Sequence, residues 1–184
     1  MRIIAGQRRG LILSDLNVEF VRPTKDIVKE FIYNCLANLK DISQCSVCDL
    51  FSGTGGLGIE ALSRGSSDVT FVELAPRAIT IINKNIAITD LGNTVSVVQA
   101  DALDFLEKGK KFDIILADPP YEQRIGNVLI EKIIKFECMN SLGVLVIETA
   151  PDEPYAPFET FPAFSLYKQK KWGESLVTIL LKNV

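Results

Sequence analysis

The sequence predicts an α/β fold: a mostly parallel, doubly wound sheet with a C-terminal antiparallel hairpin and an N-terminal β-hairpin and helix extension. Three observations carry this expectation. From Ser46 onward, short apolar runs alternate with amphipathic segments. The runs are almost continuously apolar, as strands covered by helices on both faces are. Near the end, two alternating runs meet at Trp172-Gly173, which reads as a hairpin closing a sheet edge.

The elements follow in order. "RIIAGQRRGLIL" is two apolar pieces around a Gly/Arg-rich turn and reads as a small hairpin or arm. In "VRPTKDIVKEFIYNCLANL", Thr24 suits an N-cap and Asp26 the first turn. Ile27, Val28, Phe31, Ile32, Cys35, Leu36 and Leu39 then recur at helical spacing. "SVCDLF" is a strand, and 56–64 a helix. "DVTFVEL" is a strand. "PRAITIINKNIAITDLG" is a helix with Pro76 in its first turn and Gly92 as its C-terminal cap. "VSVVQA" is a strand, "DALDFLEK" a short helix, "FDIILA" a strand, 125–138 a helix, and "GVLVIET" a strand. The proline-rich piece from Pro151 to Pro162 reads as a surface loop.

Composition narrows the possible chemistry. With 184 residues, 47% apolar and 23% charged, the chain suits one soluble domain, with 1–40 as an N-terminal arm and helix and 41–184 as the main unit. Apolar runs reach only about six to eight residues, and the start lacks a secretory core, so a cytoplasmic protein is expected. The net charge of −3 argues against a generic nucleic-acid glue. Arg2, Arg8 and Arg9 nevertheless cluster at the start, and Lys168, Lys170 and Lys171 near the end. There is no histidine, which excludes Ser–His and Cys–His nucleophiles. "CSVC" lacks partners for a tetrahedral metal site, and Cys48 lies in an apolar run, so cysteine packing is expected and no metal.

In an open α/β sheet, ligands bind beyond the carboxyl ends of the strands. The first strand is followed by "DLFSGTGGLG", the second by Glu73, the third by Asp101, and the fourth by Asp118-Pro119-Pro120-Tyr121. Gly53 to Gly58 match G-x-G-x-x-G, a weak signal alone. Asp49, just before that loop, would be unfavourable beside a pyrophosphate. It suits a cationic ligand without phosphate, such as S-adenosylmethionine. Glu73 can accept from ribose hydroxyls. Asp101 can accept from an adenine amine, cap its own helix, or do both.

At the fourth strand, Asp118 supplies an acceptor and the prolines fix the backbone so that the Pro119 carbonyl can supply a second. Tyr121 offers a face for stacking. Two acceptors and a plane suit a heterocycle bearing an exocyclic amine. Hydrogen bonds to both amine protons localise the nitrogen lone pair, so methyl transfer from a cationic sulfur needs positioning and electrostatics and no histidine.

These motifs, "DLFSGTGGLG", Glu73, "QADAL" and "DPPY", resemble in order and spacing those of Rossmann-like class I S-adenosylmethionine-dependent methyltransferases acting on amines. "MRIIAGQRRG", "RPTKDIVKEFIYN" and the lysine-rich hairpin extend the resemblance over nearly the whole chain, to the RsmD-like 16S rRNA guanine-N2 methyltransferases. That resemblance implies methyl transfer to a guanine exocyclic amine, with ribosomal RNA or a partly assembled small subunit as partner and a monomer favoured. It implies cofactor binding by Asp49, Phe51, Ser52, Gly53, Gly55, Glu73, Asp101 and Ala102. It implies a target-base site at Asp118, Pro119, Pro120 and Tyr121, and RNA contacts by Arg2, Arg8, Arg9, Arg22, Thr24, Lys170 and Lys171. Two positions depart from the family pattern: Ile27 stands where an arginine is usual, and Ala75 where an acid or amide is frequent.

Other functions remain open at this level. "DPPY" does not by itself separate guanine from adenine, so a DNA or RNA adenine methyltransferase is an alternative, although no second recognition domain is visible. A dinucleotide-dependent oxidoreductase is a distant alternative on the glycine pattern. A non-catalytic RNA-binding module would leave four aligned ligand-type strand ends unexplained.

Overall fold

The computed structural model describes residues 1–15, 26–91, 95–153 and 160–184. The elements run α1 (Asp26–Leu39), β1 (Ser46–Leu50), α2 (Gly56–Ser63), β2 (Asp68–Glu73), α3 (Pro76–Thr89), β3 (Val95–Gln99), α4 (Ala102–Leu106), β4 (Phe112–Ala117), α5 (Gly126–Lys135), β5 (Met139–Thr149), β6 (Phe164–Trp172) and β7 (Ser175–Lys182). The seven strands form one sheet in the order β3-β2-β1-β4-β5-β7-β6. β1 to β5 are parallel, and β7 lies antiparallel to both β5 and β6. The expected parallel sheet with a terminal hairpin is therefore present.

Why the central strands read as unbroken apolar runs is visible in the packing. Along β1, Val47 faces one layer while Cys48 and Leu50 face the other. The first layer holds Val28, Ile32 and Leu36 of α1, Ile59 and Leu62 of α2, and Ile82 of α3. The second holds Phe105 and Leu106 of α4 and Leu129, Ile130 and Ile133 of α5. A strand covered on both faces gains from an apolar residue at every position, at about 1.5–3 kcal/mol for each large side chain fully buried. Cys35, Cys45, Cys48 and Cys138 are all buried, as packing residues.

The N-terminal segment is a narrow hairpin bridged at Arg2 and Ile12, with the Ile3 amide donating to the Leu11 carbonyl at 3.0 Å. Ile3 and Leu13 enter the first core layer. A buried carboxylate fastens the hairpin to α2. Glu60 accepts from the amides of Ile4 (2.8 Å) and Ala5 (3.0 Å) and from Arg64 Nε (2.9 Å), with Lys29 Nζ at 3.9 Å. Burying a carboxylate is tolerable only with such a full set of partners. Burial lowers the Lys29 pKa, and the Glu60 charge opposes that shift.

Several expected boundaries move. α3 starts at Pro76 as expected but ends at Thr89, and its C-cap Asp90 takes the left-handed conformation (φ 51°, ψ 41°). Asp is one of the few non-glycine types that adopt it readily. The expected cap Gly92 lies outside the described residues, as do Arg22, Thr24 and most of the proline-rich loop. α5 stops at Lys135, short of Cys138, because Glu137 turns the chain with φ 52°. β5 then begins at Met139, earlier than expected, with Phe112 opposite Met139 and an irregularity before Ile114 pairs with Val144. "MNSL" does not alternate, so no strand period announced this extension. Among the described residues, no helix is long and apolar enough to cross a membrane.

Candidate active site

Strand order reverses direction between β1 and β4, and the parallel registers bring Leu50 level with both Val72 and Ala117. The residues after these strands therefore meet beyond their carboxyl ends. They line a single cavity of about 1440 Å³. Its wall includes Asp49, Phe51, Ser52 and Gly53 from β1 and its loop, Glu73 from β2, Asp101 and Ala102 from the β3 end, and Asp118 to Tyr121 from the β4 end.

The β1 loop is built by local hydrogen bonding. Ser52 Oγ donates to the Asp49 carbonyl (2.6 Å) and accepts from the Val72 amide (3.0 Å), clipping the loop to β2. Phe51 takes φ 58°, which costs a non-glycine residue about 1–3 kcal/mol and is held by these contacts. Gly55 caps α2 in the left-handed region (φ 84°). It stands behind the cavity wall, where an added Cβ would lie 3.1 Å from Ile59 and 3.3 Å from Phe71. Its part is conformational, and it does not line the cavity. Gly58 permits close approach: a Cβ there would sit 2.3 Å from the Phe71 ring.

Asp49 is 2% exposed, and its Oδ2 accepts the Gly58 amide at 2.8 Å. Burial pushes its carboxyl up to about 8, against the Gly58 hydrogen bond, and the Glu73 charge adds to the rise. Glu73 accepts from the Gly53 amide through Oε2 and from the Ala75 amide through Oε1, both at 2.8 Å. Residue 75 thus acts through its backbone, and its alanine side chain leaves that contact intact. Asp101 is the N-cap of α4: its Oδ1 accepts from the amides of Leu103 (2.8 Å) and Asp104 (3.2 Å). The capping expectation holds, with Oδ2 outside the cap.

At the β4 end, a short 3₁₀ turn spans Tyr121–Gln123 and closes at Arg124, which has φ 48°. The Tyr121 hydroxyl donates to Glu148 Oε1 at 2.8 Å. Burial raises the Tyr121 pKa, and the Glu148 charge reinforces that. Glu148 carries no signal in the sequence, where it is one acid at the end of the apolar run "GVLVIET". Met1, Asp152 and Glu174 also join the lining without a sequence signal.

The lining is strongly acidic. Asp49, Glu73, Asp101, Asp118, Glu122, Asp152 and Glu174 face one lysine, Lys171, among the described lining residues. A dinucleotide would bring its pyrophosphate into that field, so the glycine pattern does not make a dinucleotide site here. A cationic ligand without phosphate fits the donor set, because it would ionise and neutralise the buried Asp49.

Of the arginines expected near RNA, the described ones, Arg2, Arg8 and Arg9, are not among the cavity-lining residues. Arg2 is exposed, with Nε 2.7 Å from Asp26 Oδ2. Arg8 donates from Nε to the Thr89 carbonyl (2.6 Å) at the end of α3. Arg9 is exposed on the hairpin turn. On β6, Lys170 lies over the Phe31 and Trp172 rings, 5.4 and 4.8 Å from their centroids, while Lys171 reaches the cavity rim. Ile27, in place of the family's usual arginine, is 58% exposed.

The sheet order and the cavity at its switch point define a class I methyltransferase fold. The solved structure of the putative methyltransferase yhhF from Escherichia coli superposes on it with a TM-score of 0.86, 28% identity, and coverage of 100% of this chain and 98% of that one. The chain belongs to the family described as "Conserved hypothetical protein 95", whose model matches residues 1–181. It is 34% identical to Ribosomal RNA small subunit methyltransferase D of Haemophilus influenzae, over 94% of this chain and 89% of that protein. It is 35% identical to the Escherichia coli protein of the same name, over 95% and 86%. The family membership expected from the motifs is thereby established.

Proposed function

We propose that this protein transfers a methyl group from S-adenosylmethionine to the exocyclic amine of a guanine in small-subunit (16S) ribosomal RNA. One observation carries the reading: Asp118-Pro119-Pro120-Tyr121 lines the same cavity as Asp49, Glu73 and Asp101, with an acidic lining suited to a cation. The relatives named as ribosomal RNA small subunit methyltransferases supply the substrate class.

S-adenosylmethionine would supply an electrophilic methyl group on a positively charged sulfur. Asp49 and the Phe51–Gly53 loop would hold its charged end, Glu73 its ribose hydroxyls, and Asp101 with Ala102 its base. Asp118 and the Pro119 carbonyl would accept the two protons of the target amine and localise its lone pair. Tyr121 would stack on the base, and Asp118 would be the acceptor for the proton the amine gives up.

An acidic cleft repels phosphate, so the RNA backbone belongs outside it and only an unstacked base enters. Lys171, at the rim, would hold that backbone, and Lys170 and Arg9 would be further RNA contacts. Arg2, Arg22 and Thr24 extend the same reading to residues 1–40, the RNA-side extension of the 41–184 unit. The protein acts as a cytoplasmic monomer on ribosomal RNA or a partly assembled subunit.

Purified protein with methyl-labelled S-adenosylmethionine and small subunits from cells lacking it tests this reading. Label should appear in 16S RNA and, after digestion to nucleosides, in N2-methylguanosine. Label in an adenosine would move the assignment to the adenine class, and no label would refute it.

A further inference from the structure

We propose that Glu148 is a positioning residue for the reaction: one buried carboxylate oxygen sets the Tyr121 ring and joins it to the turn of the β6–β7 hairpin. The inference rests on the reading of 118–121 as the target-base site. Glu148 stands next to the end of β5 and is 6% exposed. Its Oε1 accepts two hydroxyl donors, from Tyr121 (2.8 Å) and from Ser175 (2.5 Å). Its Oε2 is buried and has no hydrogen-bond partner among the described residues.

A fold selected for stability alone has little use for this arrangement. An apolar residue at 148 would match the rest of the β5 run and avoid burying an incompletely satisfied carboxylate. A carboxylate oxygen shared by two hydroxyls does what an apolar residue cannot. It anchors the hydroxyl end of a tyrosine side chain that otherwise projects from a short 3₁₀ turn with left-handed backbone at Arg124.

The second donor gives the contact its reach. Ser175 opens β7, paired with Trp172 across the turn. The same turn brings Lys171, Gly173 and Glu174 to the cavity wall. The hairpin carrying the lysines and the loop carrying Tyr121 are thus held by one oxygen atom. RNA seated on Lys171 and a base stacked on Tyr121 would be registered with each other through Glu148. The side chain itself does not line the cavity, so it acts through Tyr121 and not on the substrate.

Steady-state methylation of small subunits, with calorimetric titration of S-adenosylmethionine, tests this on the full chain. Glu148→Ala should lower kcat about tenfold while cofactor affinity stays within about twofold. Glu148→Gln keeps an oxygen for both hydroxyls and should recover kcat to within about threefold of the parent. Tyr121→Phe, a mild change that leaves the ring, should lower kcat by a similar factor. The double variant Tyr121→Phe/Glu148→Ala should be no slower than Glu148→Ala alone. Multiplied effects in the double variant would overturn the proposal. So would an unaltered kcat in Glu148→Ala when Tyr121→Ala is impaired. An unimpaired Tyr121→Ala would instead refute the base-site reading, and the proposal with it.

Discussion

Asp49 accepts a hydrogen bond from the Gly58 amide at 2.8 Å, at a point where β1 ends and only 2% of the residue remains exposed. This pairing puts a carboxyl group under the first turn of α2 in a setting that disfavours its charge. Its pKa rises from an ordinary 3.8 to about 8, chiefly through burial. The site is therefore built to gain when a cation arrives.

That gain has a sign that can be measured. Between the unfolded and folded pKa values, the ligand-free native protein holds a proton that the unfolded chain gives up. Asp49 thus lowers native stability as pH rises through that window toward about 8. A cationic ligand favours the ionised form, so binding should release a proton and tighten between about pH 6 and 7. Titration of S-adenosylmethionine in buffers of different ionisation enthalpy reads the proton directly. Asp49→Asn should bind more weakly and show neither effect. Parent binding that takes up no proton change and ignores pH would contradict the role of Asp49.

Asp118 should separate chemistry from binding. Asp118→Ala is expected to lower kcat about 100-fold or more, with cofactor affinity within about twofold of the parent. Single-turnover methylation alongside calorimetry provides both numbers. Equal losses in the two would place Asp118 in the cofactor site.

Gly58 is a packing prediction with a functional readout. An alanine Cβ would lie 2.3 Å from the Phe71 ring and 3.0 Å from Asp49 Oδ2. Gly58→Ala should destabilise the fold by about 1–3 kcal/mol and also weaken cofactor binding, because α2 must shift away from the Asp49 carboxylate. Urea denaturation and calorimetry test the two halves.

Two neighbouring arginines should behave differently. Arg8 donates to the Thr89 carbonyl at the C-terminal end of α3, where a cation is favourable. Arg8→Ala should cost about 1 kcal/mol of stability, seen in thermal or urea unfolding. Arg9→Ala and Lys171→Ala should leave stability unchanged, raise KM for subunits, and each reduce the salt slope of RNA binding by about one. An altered salt slope in Arg8→Ala alone would reverse this division.

The architecture was legible because its signals are local and repeated. Strand-helix alternation, Pro76 at a helix start and the Trp172-Gly173 turn each report on nearby chain. The site was legible where a strand end carries an unusual residue, as at Asp49, Glu73, Asp101 and Asp118. Glu148 was not, because its meaning comes from Tyr121 and Ser175, each 27 residues away. The separate fates of Arg8 and Arg9 likewise depend on the end of α3 packing beside the hairpin. The β5 extension is not legible in the sequence because its irregular start follows no period of two.

The central claim is that Asp118 to Tyr121 present a guanine amine of 16S RNA for methylation. It is tested most directly by mass-spectrometric mapping of 16S nucleotides from cells lacking the protein, restored with either the parent chain or Asp118→Ala. The expected result is one N2-methylguanosine that is absent without the protein, returns with the parent and stays absent with the variant. An unchanged methylation map, or a methyl group returning equally with Asp118→Ala, would contradict it.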